Sequence, residues 1–538
     1  NPYFELKLIV NFDGQFATFA QLDNYGNPTG TFNPMGLALN QGGQLNNGTY
    51  MTEYFQDQFI NSSTTTNLQI GYFFNSSFNS LAPDTFSIDD IRIVSPGWNH
   101  TGSGSWTTAT NWTTGVDTGV SPNNQGLEAD FLGYVTANTT VTTSSTINIG
   151  TILLNDSVNS YTLAATGSGN ITMNMPGIEP ALINDAAGTH LISAPLILAS
   201  TTCLNVVGSG DTLNISGAIS GTGGLIINGA ATNGLTDSGA QGTLAAPSIG
   251  VSTVINGLGT VKLTSATNSY GGPTVIDSGT LIAAVTGALP TGTLVTNNGN
   301  LVVNGNATLG SLTGTGTLSL SPASGTTKVT LATNSGLSTE GGLSIAANSS
   351  LDITNNHMII NYAAGTQATV DSTIRGYLIS GYAGGAWNGT TGIVSSAAAA
   401  TSGYAVGYAD GADGVVTGLS SGQLELKYTL AGDANLDGIV SGVDFTILVG
   451  NLGKSVNAWD KGDFNYDGVV SGVDFTALVG NLGKGANGAD VTLPAADLAA
   501  IDAFAAANGL MASVPEPTSA GLLIAAGVGM LARRRRSS

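Results

Sequence analysis

Residues 257–290 read GLGTVKLTSATNSYGGPTVIDSGTLIAAVTGALP, short Val/Ile/Leu/Thr runs broken by Gly, Asn, Ser and Pro. Pieces of the same size recur roughly every 15 to 25 residues on both sides. They include INIGTILL (147–154), HLISAPLIL (190–198), TLNISGAISGTGGLIING (212–229) and NLVVNGNATLGSLTGTGTLSL (300–320). No piece holds enough apolar side chains to close a core by itself. Stacking successive coils removes that difficulty, so the spacing predicts a parallel β-solenoid over 97–335. Gly and Asn at the corners supply the left-handed backbone that tight turns need.

The composition agrees. The chain has 538 residues, room for several domains, with 76 glycines, 41% hydrophobic residues and only 9% charged ones. Disorder would pair low hydrophobicity with high charge, so a mainly β body is expected. The net charge of −21 understates the acidity, because Arg533, Arg534, Arg535 and Arg536 cluster at the C-terminus. An acidic surface repels nucleic acid and anionic lipid. Cys203 is the one cysteine, lies in the strand-like TTCLNVV, and reads as a buried thiol.

Residues 257–290 resemble the autotransporter-associated β-strand repeat in their Gly-Thr-Leu, Asn-x-Tyr-x-Gly, Gly-Thr-Leu cadence, with Val261 in place of the usual Leu. The resemblance implies the stalk of a surface protein, which needs no catalytic residues. An enzymatic solenoid is disfavoured: 97–335 contain Lys262 and Lys328 but no arginine as a lyase base. A glycosidase needs two facing carboxylates, and the sequence pairs none of Asp156, Glu179, Asp185, Asp211, Asp237 and Asp277. The expectation is that the chain is not an enzyme. His100, His190 and His357 lack metal-ligand spacing and read as structural.

Residues 1–96 alternate apolar and polar residues in short runs, which predicts antiparallel strands of a partial β-sandwich. The ending FSIDDIRIV is similar to the closing strand of jelly-roll, lectin-like modules. The start, NPYFELKLIV, lacks an export leader and reads as a mature chain or a fragment, the fragment being favoured. Residues 336–430 predict a small α+β region: a strand pair, a short amphipathic helix around DSTIRGYLISGY, and a last strand, GQLELKYTL.

The strongest chemical pattern is duplicated. DANLDGIVSGVD (433–444) and DFNYDGVVSGVD (463–474) both place oxygen donors where a twelve-residue loop wraps Ca²⁺. The first supplies Asp433, Asn435, Asp437, the Ile439 carbonyl, Ser441 and Asp444. The second supplies Asp463, Asn465, Asp467, the Val469 carbonyl, Ser471 and Asp474. Gly438 and Gly468 make the sharp turns. Two Ca²⁺ ions are expected. Each loop runs into a helix carrying an apolar stripe, Phe445, Leu448, Val449, Leu452 and Phe475, Leu478, Val479, Leu482, closed by Gly453 and Gly483. A loop and helix in duplicate, with Asp at position 12, resemble the type I dockerin over 431–486. The resemblance implies a calcium-folded module whose helix stripes dock a cohesin-like surface protein or pack only on each other. Gly442-Val443 and Gly472-Val473 depart from the Ser-Thr common in that family. Residues 487–513 predict an Ala-rich helix, Ala495 to Ala507, and a linker.

The tail 514–538 sets Val514, Pro515, Glu516 and Pro517 before an apolar span, Thr518 to Ala532, and the arginine cluster. As a helix the span covers about 22 Å, which flanking residues and snorkelling arginines extend toward a membrane thickness. This order resembles the PEP-CTERM sorting signal, which implies a transient transmembrane helix and an exosortase-type partner. The combination resembles planctomycete-type extracellular proteins. The expected function is an exported, surface-associated or matrix protein of structural or adhesive role. The alternative is a polysaccharide-binding or polysaccharide-degrading component of an extracellular complex.

Overall fold

The computed structural model describes residues 96–113, 121–178, 180–229 and 257–511, together with five backbone strands nearer the N-terminus. It is mainly β with large parallel sheets, consistent with a β-solenoid, and its helices are few. The chain divides into two compact units, one ending near Gly272 and the other beginning near Pro273.

In the first unit four successive coils, from Thr139–Thr143 to Leu225–Ile227, each contribute a strand to each of three parallel sheets. One sheet runs through Glu128–Leu132, Thr151–Asn155, Ala181–Ala187, Thr202–Val206 and Leu225–Ile227. Its register aligns Ala129, Ile152, Ile183, Leu204 and Ile227, all fully buried, in one inward ladder. A second ladder joins Val141, Leu163, Ile192, Ile215 and Leu263. A third joins Ile147, Ile171, Leu196 and Ile219. Every coil thus covers its neighbour's apolar edge, and each buried aliphatic contributes about 1.5–3 kcal/mol. Trp98, Trp106 and Trp112 pack around Phe131, with ring centroids 5.3 to 6.2 Å from it, and fill the interior of the first coil. Asn228 takes a corner with φ of 51°, the conformation expected of the Asn-rich turns.

Further toward the N-terminus, Glu5–Asn11 pairs antiparallel with Tyr50–Gln56 and with Ser87–Val94, and Ala20–Leu22 pairs with Pro28–Thr31. These are the antiparallel strands expected there.

The second unit continues the coil pattern. Leu281, Leu301, Leu318 and Leu343 align in one ladder, and Ala283, Val303, Leu320 and Ile345 in the next. The parallel pairing does not stop at Ser335. Ser349–Asp352 pairs with Thr327–Leu331 and then with Gly392–Val394, so the expected strand pair after 336 is instead further coil. The reason is register: Leu351 falls opposite Val329 and is buried there, which a separate hairpin would not achieve. Helix α1 (Gln367–Tyr382) follows, then α2 (Ser396–Ala400). His357–Asn361 leads into the antiparallel strands Gln423–Leu430 and Tyr404–Asp410. Helices α3 (Gly442–Asn451), α4 (Gly472–Asn481) and α5 (Ala495–Ala507) complete the unit.

Among the described residues no helix is long and apolar enough to cross a membrane. The proposed sorting signal, from Val514 to Arg536, lies outside the described residues.

Candidate metal centre

The strand Gln423–Leu430 runs directly into the first acidic loop, and a short 3₁₀ turn, Trp459–Lys461, precedes the second. Neither loop is preceded by an α-helix, and each is followed by one, as the sequence predicts. Position 4 of each loop is left-handed, with φ of 54° at Leu436 and 62° at Tyr466. The backbone therefore turns at the same position in both copies.

Matching hydrogen bonds hold the two loops. Asn435 Oδ1 accepts from the Asp437 amide at 3.1 Å, and Asp437 Oδ1 accepts from the Ile439 amide at 2.8 Å. Asn465, Asp467 and Val469 repeat this at 2.9 Å each. Gly438 N–H donates to Asp433 Oδ2, and Gly468 N–H to Asp463 Oδ2, both at 3.0 Å. The other oxygen of each pair, Oδ1 of Asp433 and of Asp463, is buried with no hydrogen-bond partner among the described residues. An orphaned carboxylate oxygen is costly, and a hard cation is what relieves it.

Electrostatics point the same way. Burial pushes the Asp433 carboxyl up to about 7, with Asp444 and Asp437 adding repulsion. Burial also raises Asp463, Asp444 and Asp474. A divalent ion coordinated by such a set would supply the missing positive charge, so these residues fit one.

The twelfth positions do a second job. Asp444 accepts from the Ala434 amide at 2.8 Å and from the Ser441 amide at 2.8 Å, and Asp474 does the same with Phe464 and Ser471 at 2.9 Å. Both close capping boxes with Ser441 and Ser471, the N-caps of α3 and α4. Among the described residues no three His, Cys, Asp or Glu side chains converge as a carboxylate cage. Cation binding here would draw on the mixed set of carboxylates, amide oxygens and carbonyls at positions 1, 3, 5 and 7.

The helix stripes are interior. Phe445 and Phe475 pack on Phe504 of α5, with centroids 5.4 and 5.2 Å away, and Leu448, Leu478 and Val479 are buried. Leu452 and Leu482 end the helices half-buried, ahead of Gly453 and Gly483 in left-handed conformation. Of the stripe residues expected to dock a partner, only Val449 reaches appreciable exposure, 36%. Phe504 of α5 covers both phenylalanines, a packing that the alanine-rich segment leaves open in the sequence. The most exposed apolar residues of α3 and α4 are Val443 and Val473, each on the first turn of its helix.

Reciprocal backbone bonds tie the repeats. Gly453 N–H donates to Val470 O at 2.8 Å, and Gly483 N–H donates to Val440 O at 2.9 Å. The preceding α+β region is tied in as firmly. Asn481 Nδ2 donates to Gly403 O at 2.9 Å, and the Tyr466 hydroxyl to Val406 O. Arg375 of α1 donates to Tyr466 O, and Lys427 donates to Leu436 O, the same loop position in the two copies. Sequence reasoning missed both cations. The available signal was that Arg375 is the only arginine between Arg92 and Arg533.

A second candidate is an open cleft of about 580 Å³ in the same unit, lined by Lys328, Ser350, Asp352, Asn388, Thr390 and Ser396. Its charges face each other, Lys328 Nζ lying 2.8 Å from Asp352 Oδ2.

No family model matches the chain, and neither the curated proteins nor the solved structures contain a significant match.

Proposed function

We propose that the chain is a non-enzymatic structural or adhesive protein of the cell envelope or extracellular matrix. In this reading a parallel β-solenoid forms the stalk, and two calcium loops staple its C-terminal region. The observation that carries it is the repeated orphan oxygen: Asp433 Oδ1 and Asp463 Oδ1 are buried and unpartnered at the same loop position. The dockerin-like order of loop and helix supports calcium as the ion. The PEP-CTERM-like tail supports export and sorting by an exosortase-type enzyme. The N-terminal antiparallel strands support a partial sandwich ahead of the stalk.

Calcium titration of the metal-stripped chain by calorimetry tests the central element. Two equivalents bound are expected, and no heat above dilution would refute it. For the tail, removing 514–538 in the producing cell is expected to release or misplace the protein; unchanged envelope retention would argue against a sorting signal.

A second reading, a polysaccharide-holding component, would use the open cleft around Trp387, Lys328 and Asp352. Screening the full chain against a glycan array, with release of sugar measured alongside, separates the two. Tight binding or cleavage would displace the purely structural account.

A further inference from the structure

The two loops are near copies in sequence, yet their surroundings deliver different charge to the first carboxylate. Asp433 Oδ2 and Asp463 Oδ2 each accept one glycine amide at 3.0 Å. The second donor differs. For Asp433 it is the neutral Thr429 hydroxyl. For Asp463 it is Arg375 Nη2 at 3.4 Å, an ion pair between a mostly buried guanidinium and a fully buried carboxylate. The same Nη2 holds Tyr466 O at 2.8 Å, so the cation straddles a candidate ligand and the loop backbone. Lys427 reaches the matching carbonyl of the first loop, Leu436, but forms no ion pair with Asp433 among the described residues.

Arginine cannot shed its proton under ordinary conditions, and its planar fork holds its geometry. The second loop therefore carries a permanent positive charge on one of its candidate ligands. That charge offsets one of the loop's three carboxylates when no metal is present and opposes a divalent ion when one arrives. The first loop has no such counter-charge on Asp433.

We propose that Arg375 sets the affinity of the second loop, making it the weaker of two inequivalent calcium sites while keeping it folded without metal. This rests on reading the loops as calcium sites. A unit charge several Å from a divalent ion changes affinity by about tenfold under water-like screening and by more at a buried site.

The test is calcium calorimetry on the full-length chain after metal stripping. The unaltered protein is expected to show two affinities, with Asp433→Ala leaving the weaker site and Asp463→Ala the tighter. In the Asp433→Ala background, Arg375→Met tightens the remaining site by about tenfold or more. Arg375→Gln, which keeps a donor for Tyr466 O without the charge, does the same even if the Met variant folds poorly. Arg375→Lys leaves the affinity within about twofold, because the charge stays. Two equal sites in the unaltered chain, or no tightening in either neutral variant, would overturn the proposal. Absence of calcium binding in every variant would overturn the calcium reading itself, and this proposal with it.

Discussion

Asp185 occupies a ladder position that the adjacent coils give to Leu154 and Val206. It is fully buried, and neither carboxylate oxygen has a hydrogen-bond partner among the described residues. Burial, reinforced by Asp211, pushes its carboxyl from an ordinary 3.8 up to about 8. His190 lies 3.7 Å away, but burial lowers its own pKa, and its two nitrogens serve the Tyr161 amide and Ala187 O. Two neutral groups in contact describe the pair better than an ion pair. Glu340, buried beside Asn297, is pushed to about 8 in the same way, against the Asn297 hydrogen bond that lowers it. In both cases the folded chain keeps a proton that the unfolded chain has released. Their contribution to stability is therefore complete below about pH 4, declines as pH rises toward about 8, and is gone above it. Asp185→Asn and Glu340→Gln are expected to raise the melting temperature at pH 8 by several degrees and to leave it nearly unchanged at pH 4. Calorimetric scans from pH 4 to pH 9 check this; parallel pH profiles for variant and parent would contradict it. Alternation places Asp185 on the face of Ile183, and only its acidic side chain makes it read as solvent-facing in the sequence.

At the scale of the element, the coils depend on backbones passing close to one another. A Cβ on Gly217 would sit 1.9 Å from Ala194 O in the preceding coil, whereas one on Gly133 meets nothing within 4 Å. Gly217→Ala is expected to cost about 2 kcal/mol or more and Gly133→Ala less than about 0.5 kcal/mol, read by chemical denaturation. Similar losses at both sites would undercut the close-packed coil description. The acidic-loop helices should respond to their caps: Ser441→Ala or Ser471→Ala removes the N-cap oxygen that accepts from the Val443 or Val473 amide at 3.2 Å. Each should cost about 1 kcal/mol. Much at this scale was legible. The alternation at Ile147, Ile149 and Ile152 announced inward-facing strands, and Pro494 with the alanine run announced α5 from Ala495 to Ala507. The end of the coils was not legible. Gly342–Ile345 and Ser349–Asp352 are spaced like a hairpin, and only their pairing with Thr317–Leu320 and Thr327–Leu331 shows them to be coil.

At the scale of the whole molecule, the sequence places a calcium module after an α+β region without saying how the two meet, and within the second unit the structure shows them hydrogen-bonded together. Tyr404 and Val406 of one strand, and Gly403 just before it, bond to Ala486, Tyr466 and Asn481, and Tyr408 donates to Asn457 O. The ligand types and the loop spacing could be read from residues 433–444 and 463–474, because coordination chemistry restricts which side chains stand where. The welding could not, because it joins residues up to about 90 positions apart through single hydrogen bonds, such as Arg375 to Tyr466. One consequence is that metal bound at the loops should stabilise more than the loops. The most direct measurement is differential scanning calorimetry of the full chain in saturating calcium and in EDTA. Calcium is expected to raise a transition by about 5 °C or more, through its preference for the folded loops, and Asp433→Ala with Asp463→Ala should abolish the gain. Superimposable scans with and without calcium would contradict the reading of these loops as metal-dependent staples.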